Sequence, residues 1–309
     1  MRNKAWLVKQ NKVTREVIPN FSLLIPHFSL FLCYLLFVIC YLFFSCSSAP
    51  KNTGDVFDTR KDAETQLEMG NAQADRGDFA AAQVFALEAR RLAVITDSSS
   101  LLIRSGLFLG NVLFAQGKVQ EASDAWNKAL EEAVFTGNKE LAAVCRIHIA
   151  RGKLLSRNDA QSVRDEVNNE LPQIKSNVIY IAFGWTVIGL AEKELNNYAA
   201  AEEAVKRALA IHEKTASLEL AAYDWFMIAS FRSLSGNFDG ALKALESAIE
   251  YDRRTENSWG LANDWQAFGD VQKKAGNRDS ANAAYARAAA IFRAIGNTEA
   301  ADKVLARRE

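Results

Sequence analysis

Residues 265–290 read WQAFGDVQKKAGNRDSANAAYARAAA. Trp265, Phe268 and Gly269 precede a Gly276-Asn277 turn, and Ala281, Tyr285 and Ala288 follow it. Forty residues earlier the same order stands as Trp225, Ile228, Ala229, then Gly236-Asn237-Phe238, then Ala241, Leu245 and Ala248. One step further back it is Trp185, Ile188, Gly189, then Asn196-Asn197-Tyr198, then Ala201, Val205 and Ala208. Gly70 and Gly110 keep the 40-residue interval, as do Gly77 and Gly117. Small residues and tryptophans recurring at one interval mean one structural unit stacked repeatedly.

Within a unit, apolar residues recur at three-, four- and seven-residue steps, the spacing of one helical face. Each unit is therefore two helices with a tight turn between them. The Gly or Asn at the turn ends the first helix in a left-handed conformation. Asp78, Asn197, Asn237 or Asn277 follows as the expected cap of the next helix. Ala82, Ala122, Ala201, Ala241 and Ala281 stand one turn into the second helices, with Ala89, Ala129, Ala208, Ala248 and Ala288 seven residues on. Methyl groups there let paired helices approach closely. By their slot, Trp126, Trp185, Trp225 and Trp265 read as core residues rather than a ligand cage.

These residues resemble the tetratricopeptide-repeat (TPR) signature: a large and a small residue in the first helix, a Gly-containing turn and two alanines in the second. Five units fit, beginning near Ala63, Ile103, Ala182, Ala222 and Ala262. In a sixth, Ala143 to Pro172, Ser162 and Asn169 stand in the alanine slots and Arg157 at the turn. The expectation is an all-α, TPR-like solenoid of about six helix-turn-helix repeats with a 40-residue period and a short C-terminal capping helix. The sixth unit is expected to be its weak joint. The 40-residue unit exceeds the family's usual 34, so helices or junction loops must be longer.

The chain has 37 basic and 37 acidic side chains. Five of the basic ones and a single acid lie in residues 1–46, leaving 32 against 36 in the remainder. No dense basic stripe is present to neutralise phosphates, so nucleic acid is not an expected partner. Phe28 to Phe44 is apolar except for Ser29; basic residues precede it and Ser45-Cys46 follows. That order is the layout of a secretory signal. Its end resembles a bacterial lipoprotein signal with Cys46 as the lipidated residue, although Phe43 and Phe44 depart from the strict pattern. An uncleaved N-terminal membrane anchor is the alternative, the run being just short of the ~20 residues of a spanning helix. The expected organisation is a targeting segment over 1–46, a flexible polar tether over 47–60 and the repeats over 61–309. The resemblance implies export and a membrane-anchored protein at the periplasmic face or outer membrane of a bacterium.

Phosphate loops, nucleophile elbows and His-Glu-x-x-His stretches are absent from the sequence. Cys145 and His148 share a helix face, either as a metal or nucleophile pair or, on the favoured reading, as a buried thiol with His148 at an edge. A metal needs more ligands. His212 reads as a helix-end residue. No enzyme, cofactor or metal is expected.

In TPR proteins the first helix of each pair lines a concave groove. By that resemblance the groove residues here include Leu67, Asn71, Arg104, Leu107, Asn111, Phe114, Ile147, Arg151 and Leu154. Phe183, Tyr223, Phe226, Ser230, Asn263, Gln266, Asp270 and Lys273 continue it. Asn71, Asn111, Arg104 and Arg151 suit a peptide backbone or terminal carboxylate, and Phe183, Tyr223 and Phe226 form an aromatic patch for contact. Two functions follow. One is a membrane-tethered adaptor binding envelope proteins or peptides in an open groove. The other is an accessory component of a solute transporter, holding a small ligand in a closed channel lined by convergent polar groups.

Overall fold

The computed structural model describes residues 53–154 and 159–308. The targeting segment and Cys46 lie outside these residues. Thirteen α-helices form among the described residues, and no strand. They are α1 (Thr53–Asp75), α2 (Phe79–Ile95), α3 (Ser99–Ala115), α4 (Val119–Phe135), α5 (Lys139–Lys153), α6 (Ala160–Glu170) and α7 (Val178–Glu194). After them come α8 (Tyr198–Lys214), α9 (Leu218–Leu234), α10 (Phe238–Arg254), α11 (Ser258–Lys274), α12 (Arg278–Ala294) and α13 (Thr298–Leu305). Six helix pairs and a terminal α13 thus build the solenoid. Most helices have 17 residues and most turns three, so the 40-residue period comes from long helices rather than long junctions. α1 begins at Thr53, so residues 53–60, expected within the tether, are helical.

Left-handed residues end the helices as the turn chemistry requires. Gly77, Gly117, Gly236 and Gly276 have φ between 77° and 84°, and Asn196 has 60°. The amide after each returns to the helix it leaves, as in Asp78 N–H to the Gln73 carbonyl at 2.9 Å and Lys118 N–H to that of Leu113 at 2.9 Å. The capping expectation holds for half of its residues. Asp78 and Asn237 accept from the amides of Ala81 and Gly240. Asn197 and Asn277 instead donate backwards, to Glu192 at 2.8 Å and Gln272 at 2.9 Å. Caps that the repeat comparison missed are Asn138, Asn177, Asn257 and Asn297, at the starts of α5, α7, α11 and α13.

Helix pairs interlock by size. A Cβ on Gly110 would come within 2.2 Å of the Trp126 indole, and one on Gly269 within 2.5 Å of the Tyr285 ring. Bare backbone on the first helix thus receives the aromatic of the second. The alanine slots are closed: Ala82, Ala122, Ala201 and Ala241 are fully buried and Ala281 nearly so. Replacing Ala281 with Leu is expected to cost ~1–3 kcal/mol through overpacking. A thermal melt superimposable on the parent's would show that the slot has room.

Two expectations need correction. Only Trp126 is fully buried; Trp185, Trp225 and Trp265 are partly exposed. Arg207 lies over Trp185 at 4.5 Å and Arg287 over Trp265 at 4.6 Å, so cations cover what neighbouring repeats leave open. The weak unit is also better packed than its slots implied. Ser162 and Asn169 are exposed, and Ala160, Val163 and Val167 form the buried stripe of α6. The helix starts one residue later than a strict 40-residue repeat after α4 would place it, which puts Val163 in the first alanine slot, Val167 in the slot of Trp126 and Glu170 in the second alanine slot. One core cluster runs through this unit from Ile103 to Ala204. Arg146–Glu170, Lys153–Glu166 and Arg164–Glu192 ion pairs tie α6 to α5 and α7.

The solenoid also turns back on itself. The ring of Trp259, at the start of α11, lies against Gly77, where a Cβ would come within 2.6 Å of it. Trp259 meets Phe79 edge-on at 6.1 Å between centroids and Phe292 at 5.4 Å. Contact between first and last pairs encloses the concave side.

Candidate functional site

The enclosed side holds a cavity of about 630 Å³, within the range of small-ligand sites. First helices line most of it: Leu67, Asn71 and Asp75 from α1, Arg104, Leu107 and Asn111 from α3, His148 and Arg151 from α5, Tyr180 and Phe183 from α7, and Tyr223 and Asp224 from α9. Side chains on successive first helices converge because each pair presents the same face inward.

Arg151 is the centre of the site. Its guanidinium lies over the Phe114 ring at 4.6 Å and near that of Phe183 at 5.9 Å. Among the described residues no carboxylate is within ion-pair reach of it, whereas Arg104 pairs with Glu64 at 3.5 Å. Partial burial pulls the Arg151 pKa down, with Tyr223 opposing the shift. Tyr223, half open to the lumen but enclosed by it, has its phenol pushed up by that enclosure, with Arg151 opposing the shift.

Three buried polar atoms in the lining lack a partner: Asn111 Oδ1, His148 Nδ1 and Asp224 Oδ1. Such atoms are rare in folded proteins because each costs the full desolvation of the group. His148 is not at a helix edge as expected. It is buried, stacks on Phe183 at 4.2 Å and has its pKa lowered to about 3 by burial and Arg151, so it is neutral. His212 is not a simple helix-end residue either; its Nδ1 meets Asp224 Oδ2 at 2.6 Å, both side chains buried. Cys145 is fully buried and its thiol pushed up to about 12, which removes it as a nucleophile. Among the described residues no group of three or more His, Cys, Asp or Glu side chains is placed to hold a metal.

Of the expected groove residues, Leu67, Asn71, Arg104, Leu107, Asn111, Arg151, Phe183 and Tyr223 line the lumen together, with Phe114 beneath Arg151. Phe226 stacks on Tyr223 at 6.4 Å but packs into a core cluster. Gln266 and Asp270 do not join them. Asp270 accepts from the Tyr285 hydroxyl at 2.9 Å and pairs with Arg307 at 3.0 Å, fastening the C-terminal cap. Ile147 is fully buried core. Sequence reasoning missed His148, Asp224 and Asp75 as lumen residues. Slot comparison assigns the first helix one inward stripe, and only a closed superhelix brings the adjoining positions inward as well.

Acidic groups crowd where the solenoid closes. Burial against the junction, with Glu219 adding to it, pushes Asp75 up to about 6. Asp264 is raised by burial and by Asp252, to which it donates a hydrogen bond while protonated. Asn257 Nδ2 holds the other side of Asp252 at 3.0 Å. These carboxyls bind protons more tightly folded than unfolded, so their contribution is complete below the ordinary carboxylate range and is lost as pH rises through the folded values. Asp264→Asn, which keeps a donor to Asp252 without ionising, is expected to raise stability at pH 8 and to flatten its fall between pH 5 and 8. Urea unfolding at both pH values reads this; an unchanged slope would mean that the pair does not titrate with folding.

A tetratricopeptide-repeat model matches residues 184–215, the turn and flanking helices of α7 and α8. No match is found among curated proteins. Among solved structures, the chain is similar to a Rap protein complexed with Competence and Sporulation Factor, at TM-score 0.57 and 15% identity over 80% of this chain and 74% of that one. It is also similar to the Cut9-Hcn1 hetero-tetramer of the APC/C, at TM-score 0.57 and 14% identity over 83% of this chain and 46% of that one. A third likeness, TM-score 0.48 and 18% identity over 67% of this chain and 98% of that one, is to a thermophilic TPR protein in Thermus thermophilus. At these identities the likeness is one of fold: the chain folds as a TPR-like solenoid.

Proposed function

We propose that the chain is a non-enzymatic binding protein of the TPR type, tethered to a membrane by its N-terminus, that receives an anionic group of its partner on Arg151. The observation that carries this reading is the Arg151 guanidinium, lying over the Phe114 ring, near that of Phe183, and without a carboxylate among the described residues. A guanidinium over an aromatic ring and without a carboxylate of its own can grip a ligand's carboxylate bidentately. Asn111 Oδ1 and Asp224 Oδ1 would accept from backbone or amino N–H groups of the same ligand. The volume suits a short extended peptide end, not a folded domain. Capture from detergent-solubilised bacterial envelopes, with the tethered chain as bait, tests it. Partners should be retained by the parent and lost with Arg151→Met.

The convergent polar lining favours a second reading, a small solute held for a transporter. Native mass spectrometry of the purified chain separates the two: a co-purifying small acid favours the solute, and a protein or peptide the adaptor. The envelope location rests on the charge–apolar–small order ending at Ser45-Cys46. Among the described residues no helix is long and apolar enough to cross a membrane. The mature chain is expected to begin at an acylated Cys46. Cys46→Ser should leave the protein misprocessed with its repeats folded, and an intact unmodified Met1 by mass spectrometry would refute the lipidation.

A further inference from the structure

Stacked repeats bury the sides that face their neighbours and solvate the outside. The outside of α2 departs from this. Val84, Leu87, Val94 and Ile95 run along it at helical spacing, all exposed, Val84 by 65%. The matching slots hold Glu203, Lys206, Glu213 and Lys214 in α8, and Lys243, Glu246, Arg253 and Arg254 in α10. The fold therefore does not demand apolar residues there. Val134 and Phe135, in the slots of Val94 and Ile95, extend the patch onto the end of α4, and Phe135 is 87% exposed. The sole acid of α2, Glu88, is neutralised by Arg91 at 2.6 Å, and Arg90 adds a positive charge. The apolar stripe of α2 suits the headgroup–acyl boundary of a bilayer, with Glu131 and Glu132 of α4 standing beside Val134 and Phe135 at its edge.

On the reading that residues 28–46 attach the chain to a membrane, the short connection limits how far this surface can lie from one. Arg60, two turns into α1, donates to the Thr96 carbonyl at 3.4 Å, so this part of α1 lies at the end of α2 that carries Ile95. Eight residues, 45–52, separate the apolar run 28–44 from α1, and they span at most about 29 Å. We propose that the outer face of α2 and the end of α4 bind a lipid surface, seating the first repeats in the headgroup region. This rests on the reading that residues 28–46 attach the chain to a membrane.

The test uses the full chain reconstituted in phosphatidylcholine–phosphatidylglycerol vesicles. An environment-sensitive fluorescent amino acid replaces Leu87 or Phe135, or Lys206 as the matched control. Flotation is scored first, then quenching by lipids spin-labelled near the headgroup. Quenching at 87 and 135 should exceed that at 206 by about twofold or more, as for a face buried a few ångströms into the boundary. Val84→Lys with Ile95→Lys should remove the excess at 135 while flotation persists. Flotation with 87 and 135 as aqueous as 206 overturns the lipid surface alone. Failure to float overturns the attachment and this proposal with it. Shielding of 87 that needs no lipid and grows with protein concentration assigns the stripe to a second copy, and also overturns it.

Discussion

Arg151→Met is expected to weaken binding of the lumen's ligand by about 2–5 kcal/mol, at least about thirtyfold, with little loss of stability. Both halves of that result follow from one fact. The guanidinium is partly buried in the folded chain, and no carboxylate among the described residues pairs with it. Removing it relieves an uncompensated cation and keeps the long apolar stem against Phe114. Arg151→Lys should fall between parent and Met, because an ammonium keeps the charge but has no planar face for Phe114 and no fork for a carboxylate. Titration calorimetry with the captured partner, beside melting curves, checks this. Equal affinity in all three variants would place the ligand elsewhere, and a collapse in melting temperature would make Arg151 a structural residue.

The difference between what the sequence yields and what it does not is clear from particular residues. Gly110 and Trp126, or Gly269 and Tyr285, sit in repeated slots, so their pairing was legible from the 40-residue interval. Arg151, Asn111, Phe183 and Tyr223 were legible in the same way, as one stripe on successive first helices. His148, Asp224 and Asp75 were not. Their inward placement depends on superhelical closure, which is set by long-range contacts such as Trp259 on Gly77. A repeat pattern fixes what each unit does to its neighbour, and the accumulated rotation appears only when the units are summed. The sixth unit misled for a related reason. Counting 40 residues assigned Ser162 and Asn169 to the alanine slots, whereas the start of α6 at Ala160 puts Val163 in the first of them, Glu170 in the second and Val167 in the slot of Trp126.

Trp126→Ala should be the most damaging single truncation, removing ~3–5 kcal/mol of stability. The indole is 1% exposed, and its N–H donates to the Leu107 carbonyl at 3.3 Å. It sits in the largest core cluster, opposite Gly110, with Phe114 at 5.6 Å and His148 at 5.8 Å between ring centres. Glycine opposite the ring means no flexible side chain on that side can fill the void, so the cavity term stays close to its full value. Trp126→Phe keeps much of the volume and loses the hydrogen bond, so a smaller cost is expected. The partly exposed Trp265 under Arg287 should likewise tolerate truncation better. The injury should also reach the lumen. His148 is stacked between Trp126 and Phe183, and a void behind it frees the ring that, with Phe183, borders Arg151. Stability and ligand binding should therefore fall together, unlike in Arg151→Met. Because each repeat is held mainly by its neighbours, hydrogen exchange should accelerate in α3 to α7 while α10 to α12 keep their protection. Acceleration spread evenly over all helices would show that closure through Trp259 makes the solenoid unfold as one body.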